Sequence, residues 1–220
     1  MMAGLGLGKK GSLLCISGPS GVGKGTVIEA LKEAHPDIWI SISATTREPR
    51  GQEQHGVEYY FLSHDEFLKE QAAGEILEYD EYCGHYYGTP RKAIEEQLLK
   101  GRDVMLDVTI AGALEIKEKM PQAIIVFLLP PSLAELQRRL RGRKTEREDQ
   151  LIRRLERSCL EIEKADKFDY LVVNRTIENA VREIEVILEA ESLRPSRNLE
   201  MLENILQEKH DFSFKEEQEC

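Results

Sequence analysis

Residues 16–26 read ISGPSGVGKGT, four glycines and one lysine in eleven positions. The spacing Gly18-x-x-x-x-Gly23-Lys24 is that of a P-loop, in which main-chain N–H groups surround phosphate oxygens. Glycines remove the Cβ atoms that would block an anion, and a helix N-terminus supplies unpaired N–H groups and a favourable dipole. The candidate cradle is Gly18, Pro19, Ser20, Gly21, Val22, Gly23, Lys24, Gly25 and Thr26. Lys24 is placed to reach the β- and γ-phosphates. Gly25 stands where Ser or Thr is usual, so Thr26 is the nearest hydroxyl for a Mg²⁺ shell.

A second concentration of chemistry lies between Arg138 and Arg157, where eight arginines occur: 138, 139, 141, 143, 147, 153, 154 and 157. Glu135, Glu146, Glu148 and Glu156 are interleaved with them. A helix surface laced with Glu–Arg pairs accounts for Arg138, Arg141 and Arg157. The remainder are available for polyanion chemistry. The acidic interleaving and sparse aromatics argue against RNA.

These residues need a scaffold. The apolar run SLLCIS precedes the glycine loop and reads as a buried strand, and KGTVIEALKEAH reads as a helix stopped at Pro36. That strand–loop–helix order is the context a P-loop requires. RDVMLDV (102–108), AIIVFLL (123–129) and YLVVN (170–174) are near-continuous apolar runs, as expected of parallel strands covered on both faces. Helical patterns over Lys92–Lys100, Ala111–Lys119, Ser132–Arg141 and Thr145–Lys164 separate them. Strands alternating with helices predict an α/β fold, a three-layer α/β/α core around a parallel sheet. Residues 41–88 differ, being rich in Tyr, Thr, Glu and Gly in short alternating pieces, and read as a β-rich insertion. Near the C-terminus, Met201, Leu202, Ile205 and Leu206 line one face of a short helix.

Composition narrows the class. The 220 residues are 41% hydrophobic, enough for a sizeable core, and the net charge of −10 opposes a general nucleic-acid or membrane binder. Cys15, Cys83, Cys159 and Cys220 are far apart and form no C-x-x-C pair, so they read as reduced thiols. No apolar run approaches the roughly 18 residues of a membrane span. The lysines of MMAGLGLGKKG follow its apolar stretch, the reverse of a secretory signal. A soluble cytoplasmic protein is expected.

Read together, SGPSGVGKGT, SATTREPR, GVEYYF, ILEYDEYCGHYYGTPR, FLLPPS and RRLRGRKT resemble the guanylate kinases over roughly residues 11–190. The resemblance implies a Mg²⁺-dependent transfer of the γ-phosphoryl group of ATP to GMP, giving ADP and GDP in purine nucleotide metabolism. It implies that Arg47, Arg50, Tyr59 and Tyr87 hold the GMP phosphate, a dianion suited to guanidinium forks and hydroxyls. It puts Glu78 on the N1–H and 2-amino donors of guanine, and Ser43 and Thr89 at the acceptor edge. Arg139, Arg143 and Arg154 match positions that close over the triphosphate, and with Lys24 and Arg47 they form the catalytic set. Asn174 is a candidate near the adenine. Asp107, at the end of a buried strand, is placed to assist Mg²⁺, through water, or GMP.

Three departures stand out. LDVTIAGA keeps Asp107 but puts Thr109 and Ala111 where the family usually has a second acid and a glutamine. Arg143-Lys144-Thr145 replaces the common Arg-Gly-Thr, and Arg175 follows Asn174 where an Asp is frequent. Two rivals therefore stand beside the kinase reading: a guanylate-kinase-like binding module weakened in catalysis, and a P-loop kinase for another phosphorylated acceptor. The expected division is a flexible tail (1–10), a core (11–40 and 89–190) with a helical lid at about 139–156, a GMP-binding insertion (41–88) and a C-terminal helical extension (191–220). Monomer and homodimer are both compatible with the sequence.

Overall fold

The computed structural model describes residues 11–141 and 148–208. The expected N-terminal tail, the lid turn containing Arg143, and the end of the C-terminal extension lie outside these residues.

At the centre is β1 (Leu13–Ser17), with every residue buried. It pairs in parallel with β7 (Val104–Asp107) on one side and β8 (Ile124–Leu129) on the other. β2 (Trp39–Ile40) and β9 (Tyr170–Val173) complete a five-stranded parallel sheet ordered β2-β7-β1-β8-β9. Side chains alternate between the two faces of a strand. Leu14 and Ile16 accordingly pack with Val27 and Leu31 of α1 (Lys24–Ala34) and with Ile184 of α7 (Ile177–Ser192). Leu13 and Cys15 pack with Ile94 of α3 (Arg91–Leu99) and Ile116 of α4 (Ile110–Lys119) on the opposite face. Cover on both sides is why the strands read as unbroken apolar runs, and the three layers agree with the fold class the sequence predicts.

Between β2 and α3 the chain forms a second sheet of β4 (Tyr60–Phe61), β3 (Ala44–Thr45), β6 (His85–Pro90) and β5 (Ile76–Tyr82), in that order. β5 and β6 form an antiparallel hairpin whose two loop residues, Cys83 and Gly84, have φ of 52° and 76°. That geometry matches the twist of paired strands. One element departs from the β-rich expectation: α2 (His64–Ala72) crosses this sheet and buries Phe67 against Ala44 and Ile76. Its start is a capping box, with Ser63 Oγ accepting from the Glu66 N–H at 3.2 Å and Glu66 accepting from the Ser63 N–H at 2.7 Å.

α5 (Leu133–Arg141) and α6 (Glu148–Ile162) meet through Leu136, Leu140, Leu151 and Leu155. α8 (Leu199–Glu208) carries the expected apolar face, and Met201, Leu202, Ile205 and Leu206 are exposed along it. No helix among the described residues is long and apolar enough to cross a membrane.

Candidate active site

β1 delivers the glycine loop to the carboxyl ends of the parallel strands, beside the point where chain order reverses across the sheet. Ligands of open α/β folds bind there. Gly21 and Gly23 have φ of 85° and 97°, which disfavours side chains. A Cβ on Gly23 would also lie 2.8 Å from Asn174 Nδ2, and one on Gly21 would strike Leu140. Pro19 and Val22 are buried beneath the loop, whereas Gly25 and Thr26 are exposed on the first turn of α1. α1 starts at Gly23 with no side-chain cap and no acid in its first turn. The orphan N–H groups of that turn therefore face outward for an anion.

Lys24 opens the helix and reaches back across the sheet. Its Nζ lies 2.7 Å from Asp107 Oδ1 and donates to the Val108 carbonyl at 2.8 Å. Ile16 and Asp107 are in register on adjacent strands, which brings lysine and carboxylate to one strand end.

α5 and α6 are fastened to the glycine loop. Arg139 donates to the Val22 carbonyl at 2.9 Å, to the Asn174 carbonyl at 2.9 Å and to Glu135 at 2.8 Å. Asn174, 4% exposed, donates through Nδ2 to the Val22 carbonyl at 2.8 Å. The structure thus places Asn174 under the P-loop. Arg154 donates to Ser20 Oγ at 2.7 Å, and Glu161 accepts from the Ser20 N–H at 3.3 Å. The expected Glu–Arg pairs are present at Arg138–Glu135, Arg141–Glu148 and Arg157–Glu161. Hydrogen bonds from Arg138 and Arg139 hold the Glu135 carboxyl down to about 2. Arg143 lies outside the described residues.

On the insertion, Arg47 is only 7% exposed. Its two terminal nitrogens meet the two oxygens of Glu53 at 2.8 and 3.1 Å, and its guanidinium lies 5.2 Å from the Tyr59 ring centroid. Tyr59 and Tyr87 stand edge to face at 6.0 Å. Hydrogen bonding to Glu53, with a further bond to Tyr87, pushes the Arg47 pKa up, while the Arg47 bond holds the Glu53 carboxyl below its usual range. Arg50 is exposed, and its backbone N–H also donates to Glu53 at 2.8 Å. Glu53 thus fixes the Arg47 guanidinium and the Arg50 backbone, a role for which the sequence offers no signal beyond its place in the same loop.

Glu78 and Thr89 face each other across the β5–β6 pair. Thr89 Oγ1 donates to Glu78 Oε1 at 2.5 Å, both residues are buried, and burial pushes the Glu78 carboxyl above the ordinary carboxylate range. Ser43 is half-buried at the start of β3, with its carbonyl accepting from the Tyr60 N–H at 2.9 Å. The carboxyl of Glu78 rests against Gly112 in the first turn of α4. Thr109, where the family usually has an acid, caps that helix by accepting from the Gly112 N–H at 3.1 Å. Ala111 is exposed beside it.

A glycine loop at the carboxyl end of β1, feeding an uncapped helix whose first residue is lysine, defines a P-loop nucleotide-binding protein. The sequence model of the family described as guanylate kinase matches residues 10–191. The chain is 46% identical over 202 residues to the guanylate kinase of Clostridium perfringens (strain 13 / Type A), an alignment covering 92% of each protein. It is 45% identical over 179 residues to that of Synechococcus sp. (strain JA-3-3Ab), covering 81% of this chain and 82% of the relative. Its fold is similar to the crystal structure of guanylate kinase from Anaplasma phagocytophilum, with a TM-score of 0.64, 34% identity, and coverage of 86% of this chain and 90% of that one. The chain belongs to the guanylate kinase family and has its activity, that of a nucleoside monophosphate kinase. Neither rival reading, the binding module or the kinase for another acceptor, is favoured by these matches.

Proposed function

We propose that this chain transfers the γ-phosphoryl group of ATP to GMP, with the residues above divided between two walls of one cleft. In this reading residues 41–88 hold the acceptor, the remainder of the core holds the donor, and residues at about 139–156 act as the lid.

The N–H groups at the start of α1 and Lys24 bind the β- and γ-phosphates. Lys24 leaves a carboxylate and a carbonyl for a phosphate, so one cation is kept in place before and after ATP enters. Arg139 and Asn174 serve ATP by fixing the Val22 carbonyl, which keeps the N–H side of the loop turned outward. Arg154, against Ser20, and Arg143 supply charge to the equatorial oxygens of the transferring group, where charge spreads in the transition state.

On the opposite wall Arg47, Arg50, Tyr59 and Tyr87 take the GMP phosphate. The attacking oxygen is already anionic, so no general base is needed, and alignment with charge stabilisation provides the rate. Glu78 accepts from guanine N1–H and the 2-amino group, while Ser43 and Thr89 flank the base. Adenine has no donor on that edge, so it would leave a buried carboxylate unpaired. Sites of this kind discriminate by as much as about 10⁴-fold.

Thr26 and Asp107 are hard oxygen donors beside the triphosphate position, a donor set suited to Mg²⁺ that also uses phosphate oxygens and water. Mg²⁺ held by these residues would supply charge neutralisation on the β- and γ-phosphates.

The observation that carries the acceptor assignment is Glu78, a buried carboxylate with Thr89 beside it, on the sheet whose strand β3 leads into the loop carrying Arg47. Coupled ADP release measured with GMP, AMP, UMP and CMP tests it, with Lys24→Ala as the control. Turnover confined to GMP is expected. Comparable turnover with AMP would remove Glu78 from the reading.

A further inference from the structure

Gly112 is the third residue of α4, buried, with its N–H held by Thr109 Oγ1. Its backbone is not among those with positive φ, so conformation gives no reason for glycine. Helix propensity argues against it, since glycine costs about 1 kcal/mol relative to alanine in a helix interior.

Space gives the reason. A Cβ at Gly112 would lie 2.9 Å from Glu78 Cδ and 3.2 Å from Cγ, with Oε2 closer still. Glu78 has little freedom to yield. Its Oε1 is held by Thr89, and it is 7% exposed. The crowded atoms include Cγ as well as the carboxyl tip, so a simple rotation of the tip does not relieve the contact.

We propose that Gly112 is a specificity-determining position, whose missing side chain forms the seat in which the Glu78 carboxylate stands to read guanine. The core helix α4, and not the insertion alone, then sets where the base is recognised. The inference rests on the reading of Glu78 as the base-recognising acid.

The test is a double-mutant cycle of Gly112→Ala with Glu78→Asp in the full chain, read by steady-state kinetics with GMP and IMP and by thermal melting. Displacing a recognition group by about 1 Å can cost on the order of 100-fold. Gly112→Ala is expected to raise KM for GMP at least about tenfold, to leave KM for ATP within about twofold, and to shrink the preference for GMP over IMP. In the Glu78→Asp background, where the side chain is one methylene shorter, the same substitution should change KM for GMP less than about twofold, because only coupled neighbours fail to add. An unchanged KM for GMP in the single variant, or an equal effect in both backgrounds, overturns the proposal. If Gly112→Ala alone melts early, recovery of its Tm in the double variant supports the seat, and no recovery overturns it. Glu78→Gln run in parallel separates the two readings. If it keeps the preference for GMP, the base-reading role itself falls; if it loses GMP while Gly112→Ala does not, only the Gly112 inference falls.

Discussion

The guanidinium of Arg47 is gripped by both oxygens of Glu53, at 2.8 and 3.1 Å. This has two opposing consequences for an incoming dianion. Glu53 offsets part of the charge on Arg47, yet it fixes the plane of the fork, and bidentate phosphate recognition depends on that plane. The Tyr59 ring and the Glu48 carbonyl hold the same guanidinium from other sides, the latter at 2.8 Å, so the site is built for orientation. We expect geometry to win. Glu53→Gln should raise KM for GMP by roughly tenfold and leave KM for ATP unchanged. A fall in KM for GMP would show that Glu53 competes with the phosphate instead.

Glu78 sets function against stability. Burial holds its carboxyl above the ordinary 4.5. A carboxyl whose folded value is raised costs stability once pH exceeds the unfolded value, and the cost is complete above the folded value. Glu78→Gln removes that cost and keeps an amide able to bond Thr89. Its Tm should equal or exceed that of the parent chain at pH 7, with the gap closing as pH falls toward about 4.5 and absent below it. The same change should lower kcat/KM for GMP by about 100-fold or more, the worth of hydrogen bonds to a charged acceptor. Melting curves at several pH values and GMP kinetics check both halves. A variant that melts earlier at pH 7 would contradict this account of Glu78.

Arg139 and Arg154 both meet the glycine loop, but the structure gives them different work. Arg139 joins α5 to the Val22 and Asn174 carbonyls, whereas Arg154 reaches the Ser20 hydroxyl. Arg139→Ala leaves two loop-side carbonyls without that donor, so Tm and kcat should fall together. Arg154→Ala should lower kcat by about 100-fold, the scale for removing one transition-state donor, with Tm little changed. Thermal melting beside single-turnover kinetics separates the two. Equal losses of Tm would show that both residues are structural fasteners.

How much of this was legible in the sequence follows from local against distant causes. β1, β7 and β8 announce themselves because helices cover both faces of each, and β9 by its apolar run alone, since it is an edge strand with Leu171 exposed. The P-loop does so because its glycines and lysine are consecutive. α2 was hidden among tyrosines and threonines, although Ser63 and Glu66 carried the signature of a helix start. α7 is similarly obscure in sequence, with its buried Ala180, Ile184 and Ile187 spaced among glutamates. β2 is two residues long and has no period to detect. The Arg47–Glu53 grip depends on the path of a loop, and the Gly112–Glu78 contact joins two units distant in sequence. The role of Asn174 under the loop appears only when β9 is laid beside β8.

Asp107 is the remaining acid of a segment that in its family usually carries two, and it is held 2.7 Å from Lys24. Thr109, in the second acidic position, spends its hydroxyl on capping α4 and brings no charge. Any Mg²⁺ near the triphosphate therefore depends more heavily on Asp107 than it would with both acids present. Asp107→Asn removes the anion while keeping the shape, so Lys24 retains the Val108 carbonyl and an amide oxygen as acceptors but loses the ion pair. Two effects should follow: the Mg²⁺ concentration for half-maximal rate rises several-fold, as expected when one hard anionic donor is lost, and the rate at saturating Mg²⁺ falls less than the apparent metal affinity. Chelation of Mg²⁺ should abolish turnover in both proteins while leaving their melting temperatures alone, because the metal arrives with the nucleotide. A titration of rate against Mg²⁺ at fixed ATP decides it. If the Asp107→Asn curve overlays that of the parent chain, Asp107 serves only to tether Lys24, and the metal is held by the nucleotide and Thr26.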